Sequence, residues 1–457
     1  MRRIAIIVLL LCSGAFGAAT TWNNGNGTNI WNDAANWTGA AIPGAADDVT
    51  FDNTSDANCT MDAAPTNPII QSLTIASAYD GVLDFSGETL DIDGGNCSIT
   101  GDADTIDDTG SGGGIECEGN FTISGAPLPA GFTVTLNGNF KAISANVAAN
   151  LANLIIDSGG NYNVTGAATY WGSVDITANI YETGSRVHTI AGSIVLDFIS
   201  YDNGGGKWIM NGNGTFSQIR SSVALVELEI SAGVTCTVDD GSNFVKKVTL
   251  GAGSSLVGSA TERLDFLTPS DNFWTQPGDA TCSARIAINT TNAVSTGGAM
   301  TLDNEQLLIL KASNGLTVDG HIDLGTGNFR LTATSGNVAI DMVTFNLTCD
   351  DIVVGESTND ATLDLGTGTH TVTGNIADGA SMSGTATFNV ATSSVTLTGT
   401  FDGDSIAVTG EATGGLPAVF SGSGSSATIQ NVNVSVYAHI DARGIAGDSI
   451  IDGGNNR

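Results

Sequence analysis

The chain has 457 residues, with 47 Asp and Glu against 14 Lys and Arg, a formal net charge of −33 that repels phosphate backbones and argues against a nucleic-acid partner. Gly is 60 of the 457 and charged residues only 13%, yet 41% of the chain is hydrophobic, enough to bury a continuous core, so the polar Gly-rich composition does not signal disorder. An acidic surface of this kind suits solubility outside the cell and capture of divalent cations.

The first element is a leader. Arg2 and Arg3 precede an apolar run from Ile4 to Leu11, and Ala15-Phe16-Gly17 reads as a small-x-small cleavage site before Ala18. The run is too short to span a membrane, and no later run approaches that length. Residues 1–17 are therefore expected to be a cleaved signal peptide, with the mature protein secreted or held on the outer cell surface. Acylation of Cys12 is the lesser reading, because Leu11 stands where a lipoprotein signal wants a small residue. The mature chain keeps Cys59, Cys97, Cys117, Cys236, Cys282 and Cys349. An oxidising compartment permits disulfides among them, and no Cys-x-x-Cys spacing marks a zinc or redox motif.

Residues 18–60 hold Trp22, Trp31 and Trp37 and read as an N-terminal cap, whose aromatic bodies would plug the open end of a sheet stack. Residues 61–430 read as β-solenoid repeats: short alternating strands separated by Gly, Asn, Asp and Ser turns. An apolar–Thr/Ser–Gly phrase recurs, as in Ile99-Thr100-Gly101, Ile123-Ser124-Gly125, Val164-Thr165-Gly166, Val372-Thr373-Gly374 and Leu397-Thr398-Gly399. Gly101 to Gly125 is 24 residues and Gly374 to Gly399 is 25. Asp323-Leu324-Gly325-Thr326-Gly327 returns 41 residues on as Asp364-Leu365-Gly366-Thr367-Gly368, read as a phrase recurring every second coil. Coils of about 20 to 25 residues fit these spacings, and a β-propeller period of about 40 to 50 fits them less well. Some 18 to 20 coils at about 4.8 Å each would give a rod on the order of 90 Å long. Ala-rich Lys141 to Leu154 is expected as loop or short helix, and Glu305 to Ala312 as helix or buried strand. Residues 431–457 read as a terminal coil, and the turn-like Asp452–Arg457 ending suggests a truncated chain or a missing anchor. The fold expectation is all-β, a right-handed parallel β-helix (β-solenoid) with an N-terminal cap.

The run Trp31-Asn32-Asp33-Ala34-Ala35-Asn36-Trp37, followed by Pro43 and Asp48-Val49-Thr50-Phe51, resembles a recurring opening of secreted bacterial β-helix surface proteins, whose repeats are similar to those of autotransporter passengers. The resemblance implies a β-helix and a surface location. It carries no catalytic residues, and the C-terminus departs from the autotransporter pattern, which ends in a membrane-barrel strand.

Several constellations bear chemistry. Asp102, Asp104, Asp107 and Asp108 offer hard oxygen ligands at short spacing, a candidate Ca²⁺ site without the EF-hand order. Further acids cluster at Asp239-Asp240 and Asp350-Asp351; in polysaccharide-cleaving β-helices paired carboxylates act as acid and base. Bases that would accompany such chemistry are Lys246, Lys247, Arg263, Arg285 and Arg330, none beside an acid cluster in sequence. The duplicated Gly403-Asp404-Ser405 and Gly447-Asp448-Ser449 read as repeated turns rather than a nucleophile block. His188, His321, His370 and His439 are too scattered for a transition-metal set. Trp22, Trp31 and Trp37 are also a candidate glycan-stacking platform, and the Thr runs at 367–373 and 396–400 read as ordinary strand surface. No residue is assigned a catalytic role and no cofactor is expected beyond Ca²⁺. The leading expectation is a non-enzymatic, secreted or cell-surface structural or adhesive β-solenoid with polysaccharide or surface matrix as partner. The alternatives are a carbohydrate-active β-helix, lyase or hydrolase, and a glycan- or calcium-binding module.

Overall fold

The computed structural model describes the chain from residue 17 to 402, apart from short segments at 63–66, 102–104, 126–127, 130, 139–140, 147–152, 157–160, 166–168, 178, 183–186, 198–200, 203–206, 219–225, 240, 259–260, 268, 270, 291, 304–305, 334–335, 356–358, 379–385, 390–392 and 398–399. Beyond 402 it describes strands Ile406–Thr409, Ala418–Gly422, Thr428–Gln430, Asn433–Val434, Ala438–Asp441 and Ile451–Asp452. The leader and both Gly-Asp-Ser phrases lie outside the described residues. The chain divides into two units, one of residues 1–172 and 176–182, the other of 173–175 and 183–457. Both are parallel β-solenoids.

In the first unit each strand stacks in register on the equivalent strand of the next coil. Asp48–Phe51 pairs with Ser72–Ile75, which pairs with Cys97–Ile99, which pairs with Phe121–Ser124. The alternation of each strand selects its inward face: Leu73 and Ile75 are buried while Ser72 and Thr74 are not. Stacking turns that alternation into inward columns, Val49–Leu73–Cys97–Phe121 on one sheet and Leu90–Ile115–Val134–Leu154 on another. Each buried aliphatic or aromatic side chain contributes about 1.5–3 kcal/mol, and no coil could bury its face alone. Within the stretch from Lys141 to Leu154, residues 147–152 lie outside the described residues, while Lys141–Asn146 and Asn153–Ile156 are strands in parallel ladders rather than loop or helix, because ladder partners outweigh alanine's helix propensity.

In the second unit, over residues 322–397, three strands make one coil. Ile322–Asp323, Leu347–Cys349, Thr369–Val372 and Ser394–Leu397 stack in one sheet. Phe329–Leu331 with Ile352–Val354, and Val338–Asp341 with Ala361–Asp364, stack in two ladders of another. Leu307–Thr317 is a strand of eleven residues, so the ambiguous stretch is strand from Leu307 onward, with Glu305 outside the described residues. Every ladder described is parallel, which rules out the antiparallel blades of a propeller.

The corners explain the repeated phrases. Thr100 donates both its backbone N–H and its hydroxyl to the Ile75 carbonyl of the preceding coil, each at 2.9 Å. Thr373 makes the same pair of bonds to the Cys349 carbonyl. The following Gly is needed for close stacking: a Cβ on Gly125, whose φ is +94°, would sit 2.5 Å from the Gly101 carbonyl oxygen. The Asp-Leu-Gly-Thr-Gly phrase is a different device. Asp323 Oδ1 accepts the Gly325 N–H at 3.0 Å and Asp364 Oδ1 accepts the Gly366 N–H at 2.9 Å, closing an Asx turn whose third residue has positive φ. Asp84-Phe85-Ser86 and Asp341-Met342-Val343 build the same turn, with φ of 53° at Ser86 and 52° at Val343. The 41-residue return is therefore not two coils. Asp323 stacks beside Thr348 in one sheet, whereas Asp364 stacks between Asp341 and Asn389 in the other.

A third corner device is a side-chain acceptor that holds the next coil. The Oδ1 of Asn58, Asn96, Asn213, Asn337 and Asn346 accepts the backbone N–H of Val82, Asn120, Thr235, Asp360 and Thr369, 22 to 24 residues further on. These bonds satisfy donors just before a strand, as at Val82, Asn120 and Asp360, or at its first residue, as at Thr235 and Thr369.

Candidate functional site

The tryptophan segment is built around a tight turn. Asp33 caps the short 3-10 turn Ala34–Asn36, accepting from the Ala35 N–H, the Asn26 side-chain amide and the Thr28 hydroxyl, and these donors hold its carboxyl below the usual range. Asn36 is fully buried, and its amide donates to Thr28 Oγ1 and the Ile30 carbonyl while its oxygen accepts the Asn26 N–H. Around this turn Trp22 and Trp31 each meet Trp37 edge-on, at centroid distances of 5.1 and 4.8 Å, and Phe51 and Tyr79 complete the cluster. The three indoles are 0%, 1% and 1% exposed. The ring faces that a sugar would need are occupied by protein, so these residues form a core rather than a stacking platform.

Of the candidate Ca²⁺ ligands, Asp102 and Asp104 lie outside the described residues. Asp107 stacks beside Asp84, one coil earlier. Asp108 spends both oxygens on backbone donors, Oδ1 on the Gly87 N–H at 2.6 Å and Oδ2 on the Gly113 N–H at 2.7 Å. Asp107 Oδ1 accepts the Asp108 N–H, and Asp84 accepts from the N–H of Ser86 and from the N–H and hydroxyl of Thr109. Among the described residues no group of three or more His, Cys, Asp or Glu is arranged to hold a metal ion. Asp350 and Asp351 are likewise used at a corner, accepting the Thr373 hydroxyl and the Asn375 N–H. Asp240 lies outside the described residues.

The histidines have separate surroundings. His188 stacks on Trp208, its register partner, at 4.4 Å. His321 Nδ1 accepts the Asn346 N–H at 2.9 Å, standing in for a corner Asn. His370 is fully buried; Nδ1 accepts the Leu347 N–H and Nε2 lies 3.1 Å from the Leu365 carbonyl, and burial lowers its pKa to about 4. His439 lies on strand Ala438–Asp441, opposite Val419.

Cys59, Cys97, Cys117, Cys236, Cys282 and Cys349 are all buried and none is in a disulfide. They occupy inward column positions: Cys97 lies between Leu73 and Phe121, and Leu256 separates Cys236 from Cys282. Two coils are about 9–10 Å, beyond disulfide reach. Burial raises these thiols, Cys236 to about 12 and Cys59, Cys97 and Cys349 well above the ordinary range.

One assembly was hidden in the sequence. Strand Arg263–Leu267 pairs with Arg285–Thr290 so that Arg263 lies directly opposite Arg285 on the next coil. Inward Leu264, Phe266, Ile286 and Ile288 turn both arginines outward. Arg263 grips Asp265, two residues on, through Nε and Nη2, the latter at 2.8 Å. Arg285 Nη2 donates to Gln306 Oε1, and Arg330 follows opposite Leu308. Asp265, Ala287 and Leu308 face outward in one column yet are 3%, 1% and 6% exposed, so protein lies over this part of the sheet. On an earlier coil Lys207 pairs with Glu229, and Glu227 lies opposite Lys247. The 22-residue interval from Arg263 to Arg285 was the sequence signal for this stack.

No protein-family model matches the chain, nor does any curated protein or solved structure. The functional reading therefore rests on the residues themselves.

Proposed function

We propose that this protein is a non-catalytic structural β-solenoid deployed outside the cell or on its outer surface. The observation that carries the reading is how the reactive side chains are used. Asp84, Asp108, Asp351 and Asp364 accept backbone N–H groups at coil corners, and His321 and His370 do the same with ring nitrogens. Groups that chemistry would need mobile and exposed are fixed as parts of the stack. The basic leader with its small-x-small site supports export. The resemblance of the Trp31–Trp37 opening to secreted β-helix proteins supports the same location, and the buried tryptophan cluster fits an end-closing role for residues 18–60.

Asp265 beside Arg263 is an acid–base contact of the kind the carbohydrate-active alternative would look for. Both Asp265 oxygens are engaged by Arg263 and the residue is buried, which suits an ion pair better than a proton-transfer group. The test has two readouts. Expression of the full chain in a secreting host should yield an exported protein beginning at Ala18; retention in the cell with an intact leader would defeat the localisation. Incubation with acidic polysaccharides should release no reducing or unsaturated ends, and release would overturn the non-catalytic assignment.

A further inference from the structure

We infer that His321 and His370 form an acid-sensitive latch between successive coils, closing on the backbone of Asn346 and Leu347. Two of the chain's four histidines bracket this one dipeptide. His321 Nδ1, from the coil before, accepts the Asn346 N–H at 2.9 Å. His370 Nδ1, from the coil after, accepts the Leu347 N–H at 3.2 Å. At other corners the acceptor is an amide oxygen, as at Asn58, Asn96 and Asn213, and an amide keeps that role at any ordinary pH. An imidazole does not. Its Nδ1 accepts only in the neutral ring and becomes a donor once protonated, and imidazole is the side chain whose charge changes between pH 5 and 8.

The two halves differ in access to protons. His321 is exposed, and Phe345 meets its ring edge-on at 5.6 Å. The charged groups around it are carboxylates: Asp319 and Asp323 two residues to either side, and Asp341 and Asp350 on the coil that holds Asn346. The sole Lys or Arg between residues 322 and 397 is Arg330, which lies on Phe329–Leu331 in the other sheet. A protonated His321 therefore loses the Asn346 N–H and has acids to turn toward. His370 is fully buried and faces Leu347, Leu365 and Val395. Among the described residues from 322 to 397, no Asp, Glu, Lys or Arg is buried beside it. In the closed latch this ring stays neutral down to about pH 4, so it takes a proton earlier only where the coils part. The order follows: acid first releases the outer half at His321, and the loosened boundary then admits a proton to His370, which holds it open.

The latch belongs to the folded chain whether or not it is exported, so its test is independent of the proposed function. Backbone hydrogen exchange of the full mature chain is followed by mass spectrometry and expressed as protection factors. Residues 344–349 report on the latch, and 118–124, where Asn96 accepts the Asn120 N–H, serve as control. Protection of 344–349 should fall about tenfold or more from pH 8 to pH 5, while the control stays level. His321→Asn installs the acceptor used at other corners, so it should keep the protection seen at pH 8 and make the fall shallower. Adding His370→Leu should abolish the fall. If the double variant fails to fold, the comparison of the parent with His321→Asn decides. A level parent, a fall of equal size in the control, or a fall unchanged by His321→Asn would overturn the latch.

Discussion

His370 accepts the backbone N–H of Leu347 at 3.2 Å, so the inner column of one coil is tied to the next through an imidazole. The other ring nitrogen lies 3.1 Å from the Leu365 carbonyl, which assigns the proton to Nε2 and leaves Nδ1 as acceptor. Protonating Nδ1 would set two donors against each other inside the core.

This arrangement sets a pH dependence. Burial lowers the His370 pKa from 6.5 to about 4, so the unfolded chain takes up the proton first. The contribution is complete above about pH 6.5 and is lost as the pH falls from 6.5 toward 4, amounting to about 3 kcal/mol. Urea midpoints measured across that window should fall more steeply for the parent than for His370→Leu. Parallel curves would count against the assignment.

Val343 should be replaceable with profit and Gly366 should not. Val343 is β-branched, exposed and held at a φ of 52°, a conformation costing about 1–3 kcal/mol. Val343→Gly is expected to raise stability by about 1 kcal/mol after the entropy of glycine is deducted. At the equivalent corner one coil on, a Cβ on Gly366 would lie 1.9 Å from the Val343 carbonyl oxygen, so Gly366→Ala should cost about 2–3 kcal/mol. Denaturant unfolding of the two single variants reads both effects.

The thiols give a count that also reports on processing. With all six buried and raised in pKa where burial shifts them, a thiol reagent should label none in the folded mature protein and six after denaturation. Reducing and non-reducing gels should match. A chain that keeps its leader would show a seventh thiol, Cys12.

Tryptophan emission should be blue-shifted and poorly quenched by acrylamide, because all six indoles are buried. Neutral oligosaccharides should leave it unchanged. Trp37→Ala should cost about 3–5 kcal/mol, since the ring sits between Trp22, Trp31 and Phe51 and its Nε1 donates to the Trp31 carbonyl.

The parallel solenoid was legible because it rests on local rules: inward alternation at Leu73 and Ile75, and the Thr-Gly corner at Thr100 and Thr373. The 24- and 25-residue spacings mark true corner repeats, since Ile99 stacks on Ile123 and Val372 on Leu397. The 41-residue return misled because an Asx turn closes through its own backbone and serves equally well at two different corners of a coil. Asp84-Phe85-Ser86 and Asp341-Met342-Val343 escaped notice because the turn needs only the carboxylate, a buried apolar residue and a positive φ, not a glycine. The arginine pair left only its 22-residue interval as a signal, because Arg263 and Arg285 meet through strand register, and that depends on the loop between them.

The corner acceptors have one more consequence. The Asn96 side chain reaches the coil holding Asn120, and the Asn346 side chain the coil holding Thr369. Each turn of the stack thus specifies its successor and nothing beyond it, as in a one-dimensional chain of nearest neighbours. The gene for such a protein can lose or duplicate a whole turn between matched corners, such as Gly101 and Gly125, and still offer the neighbouring strands parallel ladder partners of the same kind. Length is then a quantity that selection can adjust in single steps, independently of the chemistry displayed along the way.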